Sequence, residues 1–254
     1  MNVVATIQAR MGSSRLPGKV LQDVHGKPLL MWHVERLKRS RLLDDVVVVT
    51  SDSSKDDPIE AVCRGQEVSF FRGSEDDVLD RVAKAIEKHN IDVHIETFGD
   101  SPLTDPDMVD GFVGYYIKHR EHVDVVCNTL RTTYPPGMDL LVYAGNVLEE
   151  VNSFVPKDDA SREHVGYNIT RLSDRYRVES LDAPLWYRYP DMYLEVDTQE
   201  DLTVLSGVIG HFASQGKEHF TLSQIIDFLA SRPDLMERNA DVERRWKAFR
   251  ESSD

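Results

Sequence analysis

Short apolar runs alternate along this chain with stretches whose apolar positions recur at helical spacing. Val3–Val4–Ala5–Thr6–Ile7 is short and β-branched and reads as a buried strand. After the punctuation Gly26–Lys27–Pro28, residues Leu29, Leu30, Trp32, Val34 and Leu37 line one helix face, with Pro28 suited to the first helical position. Asp45–Thr50, Glu67–Phe71 and Asp92–Phe98 are further strands. A short helix over 58–64 joins the first pair; a helix ending near His89, entered through the acidic turn Gly73–Arg81, joins the second. Asp105 caps a helix opened by Pro106 and running to about His119, before a strand over Val123–Cys127.

Strands and helices alternating at this spacing predict an α/β fold, a mostly parallel, doubly wound sheet. The alternation breaks down between about 130 and 190. There the turn cluster Tyr134–Asp139 precedes a strand at 140–143, helical stretches from Gly145 and over 158–172, and an extended piece at 177–181. This region is expected to be an insertion or flap on a single domain spanning 1–254. Met192–Val196 is a last strand, and from about 198 the tail is helical: 199–211, 221–230 and a charged segment after Asp241.

The 254 residues carry a net charge of −14, with 41% hydrophobic and 29% charged residues, an ordinary acidic globular chain with ample core. That balance argues against a nucleic-acid-binding face, and no apolar run approaches the roughly 18 residues of a membrane span. No leader-like region precedes the first strand, so a cytoplasmic protein is expected, with Cys63 and Cys127 as reduced, buried thiols.

One region departs from the acidic background. Residues 1–41 hold eight Lys and Arg against two acids, a local balance of +6. Their focus is the loop Gln8–Ala9–Arg10–Met11–Gly12–Ser13–Ser14–Arg15–Leu16–Pro17–Gly18–Lys19, which leaves the carboxyl end of the first strand, where α/β sheets place ligands. Its glycines let backbone N–H groups approach phosphate oxygens, and Arg10, Arg15 and Lys19 can neutralise several negative charges together. Five residues separate Gly12 from Gly18 and Val20 follows Lys19, which excludes a Walker loop; no G-x-G-x-x-G occurs either. A solvated basic turn is the plain alternative, and the charge focus disfavours it. The loop reads as a polyphosphate cradle. Ser51 and Asp52 end the second strand on the same side and are candidates to touch the base or ribose.

A triphosphate normally arrives with a divalent cation, which needs hard oxygen ligands. Asp100 and Asp197 each end a predicted strand, Asp100 after Gly99, which permits close backbone approach. Each has a structural alternative. Asp100 can be a turn residue before Pro102, and Asp197 an N-cap with Glu200 completing a capping box.

The cradle, Gly73–Ser74–Glu75–Asp76–Asp77–Val78–Leu79–Asp80–Arg81, Gly99–Asp100–Ser101–Pro102, Gly137–Met138–Asp139, Arg162–Glu163–His164–Val165 and Val196–Asp197–Thr198–Gln199–Glu200–Asp201–Leu202 together resemble the cytidylyltransferase superfamily. The resemblance is in particular to the spore-coat polysaccharide biosynthesis group, related to the CMP-3-deoxy-manno-octulosonate synthetases and acylneuraminate cytidylyltransferases. It implies a nucleotide-diphospho-sugar transferase-like sheet, a homodimer, and Mg2+ held at Asp100 and Asp197. It also implies a nucleoside triphosphate, CTP, bound by Gln8, Ala9, Arg10, Met11, Gly12, Ser13, Arg15, Lys19, Ser51 and Asp52. Asp139, Arg162, Glu163 and His164 fall where the acceptor, a sugar or small anion, would bind. Ser101 stands where octulosonate enzymes carry glutamate and Gln8 where they carry proline, which leaves acceptor and base open.

The implied step is in-line attack of an acceptor oxygen on the α-phosphorus with release of pyrophosphate, served by Arg10, Arg15, Lys19 and Asp100 through positioning and charge neutralisation. His164 is a candidate to orient or deprotonate the acceptor, with packing in a helix as the alternative, and Arg162 is a candidate anion clamp. Trp186, Tyr187, Tyr189 and Tyr193 are either core or an acceptor wall or dimer contact. Two rival readings remain. A nucleotide-sugar-dependent glycosyltransferase has no use for a cradle sized to a triphosphate, and a non-catalytic nucleotide-binding homologue is disfavoured by the intact Asp100 and Asp197.

Overall fold

A computed structural model describes residues 1–172 and 174–247. In chain order it contains β1 (Val3–Gln8), a small hairpin of β2 (Asp23–Val24) and β3 (Lys27–Pro28), α1 (Leu29–Leu37), β4 (Asp45–Ser51), α2 (Asp57–Gly65), β5 (Ser69–Gly73), α3 (Val78–His89), β6 (Val93–Phe98), α4 (Pro106–His119) and β7 (Val125–Cys127). There follow β8 (Leu141–Ala144), α5 (Gly145–Phe154), α6 (Tyr167–Thr170), β9 (Val178–Ser180), α7 (Gln199–Ala213), α8 (Leu222–Ala230) and α9 (Pro233–Met236). No helix among the described residues is long and apolar enough to cross a membrane.

The main sheet has the order β5-β4-β1-β6-β8-β7-β9. Its first four strands are parallel, β8 enters antiparallel between β6 and β7, and β9 lies parallel to β7. Both faces are covered. Val3, Ala5, Ile7, Val46 and Val48 pack into one apolar cluster with α1, α4, α7 and α8, while Val4, Val47 and Val49 join α3 and α5 in another. Burial on both faces is why β4 is an unbroken run of valines rather than an alternating strand. Cys63 and Cys127 are buried free thiols, and burial pushes the Cys63 thiol up to about 11.

Several local expectations change. Residues 130–190 are woven into the main sheet through β8 and β9, which interrupt the parallel order. Over 158–172 a continuous helix gives way to a 3-10 turn at Ala160–Glu163, capped by Asp159, and the single turn of α6. Met192–Val196 is extended but makes no ladder; Leu194 N–H donates to Pro136 O and Val196 N–H to Asp100 O, each at 2.8 Å. Pro28 is an N-cap rather than the first helical residue, because it pairs with Asp23 in the hairpin. The charged segment after Asp241 is irregular from Val242 to Arg244, where Arg244 is drawn to a tertiary partner, and helical over 245–247; residues 248–254 lie outside the described part. Asp105 does cap α4, accepting from the Asp107 and Met108 N–H groups at 3.0 and 3.1 Å.

The topology creates a place for a ligand. The chain leaves β1 towards β4 and β5, then resumes on the other side of β1 at β6. Loops following β1 and β6 therefore diverge at the carboxyl ends of adjacent strands, which opens a crevice. Gly99 allows its two walls to approach: a Cβ there would stand 2.5 Å from the Gln8 carbonyl oxygen, inside contact distance. Gly99→Ala should accordingly lower stability by about 1–3 kcal/mol, the usual range for forced overpacking, as read by urea unfolding. A variant as stable as the parent would mean that the walls separate freely.

Candidate active site

Lys19 stands at the centre of the crevice. Gly18, in the left-handed region at φ 69°, turns the chain into a 3-10 turn at Lys19–Leu21. The ammonium lies 3.3 Å from Asp100 Oδ2, 2.8 Å from Asp197 Oδ1 and 2.7 Å from the Val196 carbonyl oxygen. Burial alone would favour the neutral amine, but the two carboxylates outweigh it and the pKa of Lys19 lies above its ordinary value. Arg15 also pairs with Asp197. Asp197 is free to do this because Thr198, one residue later, caps α7 in a capping box with Asp201.

The cradle walls a cavity of about 400 Å3. Gln8, Ala9, Arg10, Gly12, Ser13, Arg15, Lys19, Asp100, Glu163, His164 and Asp197 all line it, together with Arg81, Phe98, Gly99 and Arg245. Arg10 pairs with Glu163 at 2.6 Å. Burial lowers the pKa of Arg81, whose Nη1 donates to the Ser74 carbonyl oxygen and, at 3.4 Å, to that of Glu75.

Three residues assigned to the nucleotide lie elsewhere. The buried Asp56 carboxylate accepts from the Met11 N–H at 2.7 Å and from the Ser51 N–H and Oγ–H at 3.2 and 2.5 Å, tying the cradle to the end of β4. Ser51 is thus turned inward, Asp52 donates its N–H to the Gly73 carbonyl oxygen at 2.7 Å, and the Met11 side chain packs on the core; none lines the cavity. No motif marked Asp56, which in sequence is one acid among several after β4.

A second cavity of about 570 Å3 shares Gln8, Phe98, Glu163 and His164 with the first. Asp139 lines it, as do Glu96, Tyr167, Thr170, Arg171 and Trp246. Glu96 is entirely buried, accepting from Gln8 Nε2 at 3.0 Å, the Gly166 N–H at 3.2 Å and the Tyr143 hydroxyl at 2.8 Å. Burial outweighs these three donors and raises its pKa to about 7. Arg162 belongs to neither cavity. Its buried guanidinium forks onto both oxygens of Asp77, the N-cap of α3, at 2.9 Å each, and Nη1 donates to the Val155 carbonyl oxygen. Burial works against ionisation of Asp77, but Arg162 and the α3 backbone prevail and its pKa lies below the ordinary value. Arg162 therefore holds the chain that presents Glu163 and His164. Trp186, Tyr187, Tyr189 and Tyr193 line neither cavity; Tyr193 is buried, while Trp186 is 69% exposed.

Among the described residues no three His, Cys, Asp or Glu side chains are grouped to hold a metal ion. Asp100 and Asp197 offer a pair of hard oxygens to a shared cation, with further ligands left to phosphate and water.

Glu96 binds its proton more tightly in the fold, at about 7, than at the ordinary 4.5. Between those values the folded state holds more protons, so the stability from this group is complete below about pH 4.5 and is lost as pH rises through about 7. Thermal melts of Glu96→Gln should fall less steeply between these pH values than those of the parent; equal slopes would show that the carboxyl is already ionised when buried.

A family profile described as cytidylyltransferase matches residues 4–252. The chain is 34% identical over 245 residues to the spore coat polysaccharide biosynthesis protein SpsF of Bacillus subtilis, covering 94% of this chain and 99% of that protein. It is 28% identical over 244 residues to a 3-deoxy-manno-octulosonate cytidylyltransferase of Bdellovibrio bacteriovorus, covering 96% and 83% respectively. A solved cytidylyltransferase from Leptospira borgpetersenii superimposes with a TM-score of 0.88 at 28% identity, over 96% of this chain and 100% of its own. A chain that matches that profile almost end to end, and folds as that relative does around a cationic cradle facing two aspartates, belongs to the cytidylyltransferase family.

Proposed function

We propose that this protein transfers CMP from CTP to an oxygen of a sugar or small anionic acceptor, with release of pyrophosphate, in the synthesis of a surface polysaccharide. The observation that carries the reading is the convergence of Asp100 and Asp197 on one ammonium, in a cavity walled by the cationic loop. Two carboxylates already holding one cation between them fit a divalent ion, Mg2+ in this reading. Asp100 and Asp197 would hold it, and when bound it supplies charge neutralisation beside the α-phosphate.

Lys19 and Arg15, exchanged from the carboxylates onto phosphate, act with Arg10 to bind the triphosphate and to offset the charge that builds on the departing pyrophosphate. The acceptor occupies the second cavity, oriented by Asp139 and Glu163 and by the wall shared with the first. His164 lies on that shared wall, where an imidazole can take the proton of the attacking oxygen. The same reading makes the enzyme a cytoplasmic homodimer, for which Leu185 and Trp186, 81% and 69% exposed, offer apolar surface.

The test is pyrophosphate release from each of the four nucleoside triphosphates across a panel of sugar and small anionic acceptors. CTP should support turnover, and Asp100→Ala or Asp197→Ala should lower kcat by about 10²–10³, as loss of a group stabilising transition-state charge does. Preference for another nucleotide, or full turnover in either variant, would overturn the assignment.

A further inference from the structure

The cations expected of the cradle are all ion-paired within the protein: Lys19 with Asp100 and Asp197, Arg15 with Asp197, and Arg10 with Glu163. Arg245 lies on the wall of the same cavity and comes from the other end of the chain. Its Nη1 meets Ser14 Oγ at 3.2 Å, and among the described residues it has no carboxylate partner. It is an exposed guanidinium held over the cradle loop, with its charge uncompensated among the described residues.

The backbone that carries Arg245 is anchored by its neighbours. Arg15 Nη1 donates to the Glu243 carbonyl oxygen at 2.8 Å. Arg244 is buried and pairs with Asp201 at 2.8 Å, Trp246 Nε1 donates to Glu195 at 2.8 Å, and Lys247 donates to the Tyr193 hydroxyl at 2.7 Å. Residues on both sides of Arg245 are thus tied to the segment that precedes and begins α7, while among the described residues the Arg245 side chain itself contributes only the contact with Ser14. Nothing in that arrangement needs a positive charge at 245, and a polyanion beside it does.

We propose that Arg245 binds the terminal phosphates of the triphosphate, so that the C-terminal segment completes the nucleotide site. The proposal rests on the nucleotidyl-transfer reading above. Asp100 and Asp197 mark the end of the cavity where the α-phosphorus would react, whereas Arg245 stands over Ser14, on the cradle itself. Its contribution falls on the phosphates that leave.

The experiment is calorimetric titration of the full chain and of Arg245→Ala with CTP, inorganic pyrophosphate and CMP in the presence of Mg2+. The variant should melt with the parent, bind CTP and pyrophosphate about tenfold more weakly, the loss of one charge-assisted contact, and bind CMP unchanged. Arg245→Lys should recover part of the CTP affinity, which would not follow from a merely structural role. Equal affinity of parent and variant for CTP and pyrophosphate, or an equal loss for all three ligands, would overturn the proposal. Failure of the nucleotidyl-transfer reading itself would show as a parent protein that binds no CTP, and the pyrophosphate arm would then still decide the role of Arg245.

Discussion

The ammonium of Lys19, lodged between Asp100 and Asp197, joins three parts of the chain that are remote in sequence: the loop after β1, the end of β6 and the approach to α7. Two carboxylates brought to one point would repel each other. The lysine resolves it in the resting protein. In the proposed reaction, substrate binding would replace one cation by another set, with the carboxylates turning to a divalent ion and the lysine to phosphate, an exchange of partners rather than a fixed contact.

Around this centre, each loop of the site is fixed by a carboxylate from a different element, buried in three cases and half-buried in that of Asp77. Asp56 holds the cradle to β4, and Asp77 holds Arg162 and so the residues that follow it. Asp201 accepts the Asp197 N–H at 3.0 Å and also pairs with Arg244, while Glu96 receives Gln8 and Gly166 from two sides of the second cavity. Each accepts from two or more donors, the condition under which a buried acid is tolerated and rigidifies what it holds. Part of the strong acidity of the chain thus lies inside, in positions that orient loops.

The legible part of the site was the part written as one contiguous loop. Gln8 to Lys19 combines glycines with closely spaced cations, and both metal candidates followed from standing at the ends of strands expected from the sequence. Arg162 looked like an anion clamp because a carboxylate or phosphate acceptor suits a guanidinium; it is buried on Asp77 instead, 85 residues away in sequence. Ser51 was placed by its position after β4 but spends its hydroxyl on Asp56. Arg245 and Trp246 carried no signal, since a charged tail reads as solvent-facing until its partners on the segment before α7 are known.

Apolar periodicity alone determined that this chain forms a doubly wound, mostly parallel sheet, because two-sided burial demands continuous β-branched strands and one-sided burial demands helical spacing. Composition and the loop after β1 likewise pointed to that loop as the place for an anionic ligand. Only the tertiary structure decided which charges meet: that Thr198 rather than Asp197 caps α7, that Arg162 faces inward, and that residues 130–190 supply sheet strands. The reason is that local pattern reports a residue's preference for burial or exposure, whereas the partner of a charge is set by the path of the backbone through space.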